Sequence, residues 1–172
     1  MSSDLKLTVE LVPSTSWGNN LRSEANLPTS KWDALRRASY QKAGYRCEVC
    51  GGKGKKHPVE CHEIWHYDDQ SKTQTLKGLV SLCPLCHQAK HLGRSLSLGK
   101  TYVLEHLAKV NQLTAGELER YVVEVFQTWE ERSQHEWTLN LDWLDTQGSH
   151  TSHTEGFFDL SLGTTLGDEA KG

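Results

Sequence analysis

Four of the five cysteines fall into two pairs of identical spacing, Cys47-Glu-Val-Cys50 and Cys83-Pro-Leu-Cys86. Each pair offers two thiolates to one cation, and four thiolates close a tetrahedral site with Zn–S bonds of about 2.3 Å, the arrangement of a structural zinc. Gly51 and Gly52 follow the first pair, where the chain must turn tightly beneath the metal. Cys61 lies outside both pairs and reads as a small buried apolar residue. Thirty-two residues separate the pairs. A compact zinc finger or ribbon uses roughly 12–20, so this insert must carry structure of its own.

A second group of ligand types lies beside the first. His87 directly follows Cys86, and His91 stands four positions further on. On a helix both imidazoles leave the same face and can converge on a single cation. His62 and Glu63 sit in an extended stretch of the insert. Neighbours on a strand point to opposite faces, so these two cannot both aim at one ion unless the strand bends or bulges. The plainer alternative makes His87 a group that orients a zinc ligand and leaves the HxxxH pair in solvent.

The elements that must position these residues follow from local pattern. Residues 58–67 (PVECHEIWHY) read as extended, DDQSKTQT as a polar turn, and LKGLVSL as a second extended piece, together a β-hairpin. Pro84 suits a first helical position, and the short helix carrying Cys86, His87 and His91 is expected to stop at Gly93. Upstream, Ser30 and Asp33 mark a helix start, with Trp32, Leu35, Ala38 and Ser39 at helical spacing over 31–43. Downstream, 101–111 reads as a helix, and Thr114 with Glu117 opens another as a capping box. Its stripe of Leu118, Tyr121, Val122, Val125, Phe126 and Trp129 reads as core.

Two terminal segments alternate like strands with one buried face. These are residues 5–12 (Leu5, Leu7, Val9, Leu11) and the run Trp137, Leu139, Leu141, Trp143, and the two are expected to pair. Between the first strand and the first helix, residues 13–30 read as an irregular arm anchored by Trp17. The fold class expected is α+β, a zinc-stapled ββα unit with flanking helices and terminal strands. The chain divides into 1–30 (strand and arm), 31–100 (zinc-stabilised core), 101–145 (helices and strand packed on the core) and 146–172 (a flexible tail rich in Gly, Ser, Thr and acidic residues).

Charge is unevenly spread. The formal net charge is −3, yet residues 31–100 carry +7, residues 101–172 carry −9 and residues 1–30 carry −1. A basic middle that can meet a polyanion is followed by an acidic third. Arg36, Arg37, Lys42, Arg46, Lys53, Lys55, Lys56 and Arg94 are the candidate phosphate contacts. No run approaches the roughly 20 apolar residues of a membrane span, and the start lacks the basic and apolar regions of a signal peptide. The expectation is a soluble, cytoplasmic protein with no membrane partner. Its cysteines are then reduced and available to metal.

The segments RCEVCGG, VECHEIW and GLVSLCPLCHQAKH resemble the zinc-knuckle branch of the HNH, or His-Me finger, endonucleases over about residues 31–95. The resemblance implies a ββα finger holding one catalytic divalent cation, Mg²⁺ or Mn²⁺, beside the structural Zn²⁺. The implied reaction is hydrolysis of DNA, with RNA as the alternative substrate, to a 3′-hydroxyl and a 5′-phosphate. By position it makes His87 the helix metal ligand, His91 a further helix ligand and His62 a strand ligand, and it puts Glu63 in the place of the general base. Two positions depart from the family pattern: Glu63 stands for a histidine, and Gly78 stands for the middle asparagine. A carboxylate near a cation normally has too low a pKa to be a good base at neutral pH, so His62 competes with Glu63 for that role. A non-catalytic zinc module that binds nucleic acid or protein is the reading from another class.

Overall fold

The computed structural model describes residues 5–23 and 26–147. Its centre is a hairpin of β1 (Glu60–Asp68) and β2 (Thr73–Leu82), antiparallel from Glu60 opposite Leu82 to Asp68 opposite Thr73. The turn closes because Asp68 Oδ1 accepts from the backbone N–H of Gln70 (2.9 Å) and of Ser71 (3.3 Å), while Lys72 adopts φ 53°. The register shifts between Ile64 and Trp65, one bulge in an otherwise regular ladder. Gly78, opposite Ile64, has φ 158°, so a glycine suits the backbone at this irregularity.

After β2 the chain turns at Cys83 into α2 (Pro84–Lys90), then α3 (Leu92–Ser97), α4 (Tyr102–Asn111) and α5 (Ala115–Arg132). Before the hairpin, α1 (Thr29–Lys42) lies against β1 and β2. The hairpin therefore has two covered faces. On one, Leu7, Val9, Leu82, Ala89, Leu92, Val103, Leu107 and Tyr121 form a core with three of the paired cysteines. On the other, Leu21, Leu27, Trp32, Cys61 and Leu76 form a second cluster beneath α1, joined by Leu141, Trp143 and Leu144. Cys61 is buried in this second cluster, as its isolation from the pairs suggests. The mixed α+β class is as expected, and the capping box at Thr114 and Glu117 is formed in full.

Several expectations need correction. Residues 5–12 alternate in burial, with Leu7 and Val9 inside, but they form no strand. Their backbone groups bond elsewhere: Asn111 clamps Leu7 from both sides (N–H to Oδ1 2.9 Å, Nδ2 to O 2.7 Å), Val9 N–H donates to the Tyr121 hydroxyl (2.8 Å), and Glu10 N–H donates to Lys90 O (2.9 Å). Alternation reports one-sided burial of an extended chain, and a side chain can take the place of a neighbouring strand. The second terminal strand is only β3 (Thr138–Asn140), and it pairs in parallel with β2 rather than with the arm. Asn140 then accepts from Asp142 N–H (3.0 Å) and turns the chain into α6 (Trp143–Gln147), whose Trp143 and Leu144 complete the second cluster.

The short helix breaks at His91 rather than at Gly93, which lies inside α3. A Cβ there would stand 3.4 Å from Leu11 Cδ2, an ordinary packing distance, so this glycine sits at a contact with the arm rather than at a helix end. Helix α1 begins behind Pro28 with no side-chain cap from Ser30. Trp17 is 69 % exposed and is no interior anchor. Of the tail expected from residue 146, Thr146 and Gln147 close α6, and residues 148–172 lie outside the described residues. Among the described residues no helix is long and apolar enough to cross a membrane.

Candidate metal centre

The two cysteine pairs meet at the start of α2. The first folds as a tight turn, with Gly51 N–H donating to Cys47 O (2.8 Å), Cys47 N–H to Gly52 O (3.0 Å), and Gly51 at φ 71°. The second sits at the helix start, with Pro84 at the first position tolerating the missing N–H and Cys86 one turn in. The four sulfurs lie within 4.8 Å of one another, with Cys50 and Cys83 at 3.6 Å. Tetrahedral Zn–S bonds of about 2.3 Å require S···S separations of about 3.8 Å, so the cluster has the dimensions of a zinc site.

Its electrostatics fit the same ion. A hydrogen bond from Cys86 pulls the Cys47 thiol down to about 4, while burial pushes Cys83 up to about 11, and the Cys47 contact pushes Cys86 up as well. Four crowded thiols cannot all ionise without a cation among them. Backbone N–H groups already point at the sulfurs, from Cys50 to Cys47 (3.5 Å) and from Gly52 to Cys50 (3.4 Å). His106 Nε2 lies 3.2 Å from Cys86 Sγ.

A second cluster adjoins the first, since His87 directly follows Cys86. His62 comes from β1, His87 from α2, and His91 from the break between α2 and α3. One ring nitrogen of each lies within 4.8 Å of the others. Ring centroids are 4.9–5.4 Å apart and the planes cross at 71–88°, so the rings meet edge to face. Burial, followed by the repulsion of His62, drives His91 down to about 3 and lowers His87 too. Both rings are therefore neutral at pH 7 and present lone pairs, which is what a metal ligand needs.

Behind two of the rings stand carboxylates. Glu60 Oε2 meets His87 Nδ1, and Glu10 Oε2 lies 2.9 Å from His62 Nε2. Glu63, next along β1, is engaged elsewhere: it accepts from the Leu21 N–H at 2.9 Å and from the Trp65 indole at 3.1 Å. The structure thus brings His62, His87 and His91 together and leaves Glu63 outside the cluster.

An open cleft of about 1340 Å³ runs past the three rings. Of the candidate phosphate contacts, Arg94 lines it. Arg36 is instead paired with Asp33 at 2.7 Å, Arg37 reaches the same carboxylate at 3.8 Å, and Arg46 donates to Gly51 O. Lys42, Lys53, Lys55 and Lys56 are exposed on α1 and the loop after the first cysteine pair, away from the cleft lining. Sequence reasoning missed Arg22, whose guanidinium stands over Trp32 at 5.7 Å and lines the cleft, and also Lys100. It missed Glu10, whose partner is 52 positions away, and Glu60. Glu60 had a readable signal, since a residue two before His62 on a strand shares its face.

Residues 47–93 match the family model for HNH endonuclease, from the first paired cysteine through both pairs and all three clustered histidines. The match spans about a quarter of the 172 residues. No match was found among curated proteins or among solved structures.

Proposed function

We propose that this chain is a metal-dependent endonuclease that hydrolyses phosphodiester bonds in DNA. One divalent cation is held by His62, His87 and His91, and the unit is stapled by zinc at Cys47, Cys50, Cys83 and Cys86. The observation that carries the reading is the convergence of three histidines from a hairpin and its following helix, inside the segment that matches the endonuclease family model. When bound, such a cation neutralises a non-bridging phosphate oxygen and the leaving oxyanion. An all-imidazole set suits a first-row transition ion, so Mn²⁺ is favoured over the oxygen-seeking Mg²⁺.

The chain's own groups have separate tasks. His62 is taken as a ligand, because its ring belongs to the cluster and one nitrogen already faces Glu10. Glu63 is the base by position; each of its oxygens already accepts one bond, from the Leu21 N–H and from the Trp65 indole, and keeps a second lone pair for a water in the cleft it lines. Arg22, Arg94 and Lys100 supply positive charge along the cleft for the phosphate backbone. The engagement of Glu63 is also the observation that favours the second reading, a zinc module that binds nucleic acid without cutting it.

Supercoiled plasmid separates the two. With Mn²⁺ the parent is expected to nick the plasmid, and EDTA to stop it. His87→Ala should lose second-site Mn²⁺ binding and cleavage together. Glu63→Ala should bind Mn²⁺ normally and cleave about 10²-fold more slowly, the loss typical of a general base. Cleavage by all variants at the parental rate, or by none with any divalent ion, would overturn the nuclease assignment.

A further inference from the structure

The segment that matches the endonuclease family begins at Cys47, yet one group in contact with the histidine cluster comes from far outside it. Glu10, on the N-terminal arm, is fixed by contacts on three sides. Its N–H donates to Lys90 O at 2.9 Å, its Oε1 accepts from the Lys90 ammonium, and its Oε2 lies 2.9 Å from His62 Nε2. Lys90 is itself 7 % exposed, and its remaining contact is with Thr8 Oγ1 at 2.8 Å. A buried ammonium facing a part-buried carboxylate is a paired charge, and an ionised carboxylate is a hydrogen-bond acceptor only. The carboxylate also stands outside the set of ligand atoms that share one small volume, which among the described residues contains the three histidines.

We propose that Glu10 is a positioning residue for His62: it accepts the proton on Nε2, fixes the ring's tautomer and orientation, and leaves Nδ1 as the ring's ligand atom. The site's geometry is then completed by the arm and not by the ββα segment alone. Lys90 sets the acceptor in place from the end of the helix that carries His87. Glu60 does for His87 from within the hairpin what Glu10 does for His62 from outside it, meeting Nδ1 and leaving Nε2. Carboxylate partners of metal-bound histidines typically contribute 10- to 100-fold in metal affinity.

The proposal rests on reading the three histidines as a cation site, and one of its two measurements does not depend on that reading. The first is the ¹⁵N NMR tautomer of His62 in the zinc-loaded protein without a second metal. The expected result is protonation at Nε2 in the parent and in Glu10→Gln, whose amide oxygen still accepts, with loss of that fixed tautomer in Glu10→Ala. The second is calorimetric titration with Mn²⁺, with zinc content and circular dichroism confirming the fold of each variant. Glu10→Ala should bind Mn²⁺ 10- to 100-fold more weakly, and Glu10→Gln should recover most of the loss. A parent His62 protonated at Nδ1 overturns the proposal, as does a folded Glu10→Ala that binds Mn²⁺ as tightly as the parent. A parent that binds no Mn²⁺ but carries the Nε2 proton would sink the cation-site reading while leaving the Glu10–His62 assignment standing. If Glu10→Ala does not fold, the parent tautomer and the Gln variant decide the matter.

Discussion

Cys83 carries two demands at once: it follows β2 as the residue before a helix-opening proline, and its sulfur packs 3.6 Å from Cys50. Burial pushes its thiol up to about 11, so it is a poor thiolate until a cation is present. Binding energy at such a site is therefore folding energy. Replacing Cys83 by Ser should release the zinc and collapse the hairpin–helix unit, read as loss of bound zinc and of the circular dichroism signal. A Cys83→Ser protein that stays folded without zinc would show that the four sulfurs are packing and not a staple. At the second cluster the same scale of argument applies to neutral rings: His87 and His91 are already in the protonation state a metal needs, so their cost was met on folding.

What was legible in the sequence at the level of elements is what depends on near neighbours. The cysteine pairs, the hairpin, the proline-started helix and the capping box each rest on residues within a few positions of one another, and all are present. The histidine pair on α2 could be read from its spacing, and His62 from the strand before it. The partner of an element is a different matter. Residues 5–12 show the burial pattern of a strand, but whether Asn111 or a neighbouring strand takes their backbone is settled 104 positions away. Glu10 looked like the solvent side of that pattern and is the acceptor for His62. Gly93 looked like a helix stop and is a contact surface for Leu11. Local signals also give the cleanest magnitude. In α5 the Thr114 hydroxyl accepts from Glu117 N–H at 3.3 Å, and Glu117 Oε2 accepts from Thr114 N–H at 2.8 Å. Thr114→Ala should cost about 1 kcal/mol. For a chain of this size that lowers Tm by about 2–4 °C, measurable by calorimetry, with no change in zinc content.

Across the molecule the arm is the part that joins everything else. Leu7 is fully buried and bonded to Asn111 of α4, Val9 bonds Tyr121 of α5, Glu10 reaches His62 and Lys90, and the Leu21 N–H donates to Glu63 from the other face of the hairpin. At the opposite end Arg132, in the last turn of α5, grips Asp69 of the hairpin turn with two hydrogen bonds of 2.9 and 2.7 Å. That second link is exposed and contributes little by itself. The first is core. If the arm belongs to the same cooperative unit as the zinc-stapled hairpin, damage to its core anchor must appear in the unfolding of the whole. Leu7→Ala removes a fully buried leucine and should destabilise the protein by about 2–5 kcal/mol, with one shifted denaturant midpoint by both fluorescence and circular dichroism. Its Mn²⁺ affinity, measured well below the midpoint, should stay near the parent's, because Glu10 keeps its own three contacts. A loss under about 0.5 kcal/mol, the range of ordinary surface substitutions, would mean that the arm is laid on the fold rather than built into it. The hairpin and helices would then have to hold the histidine cluster without it.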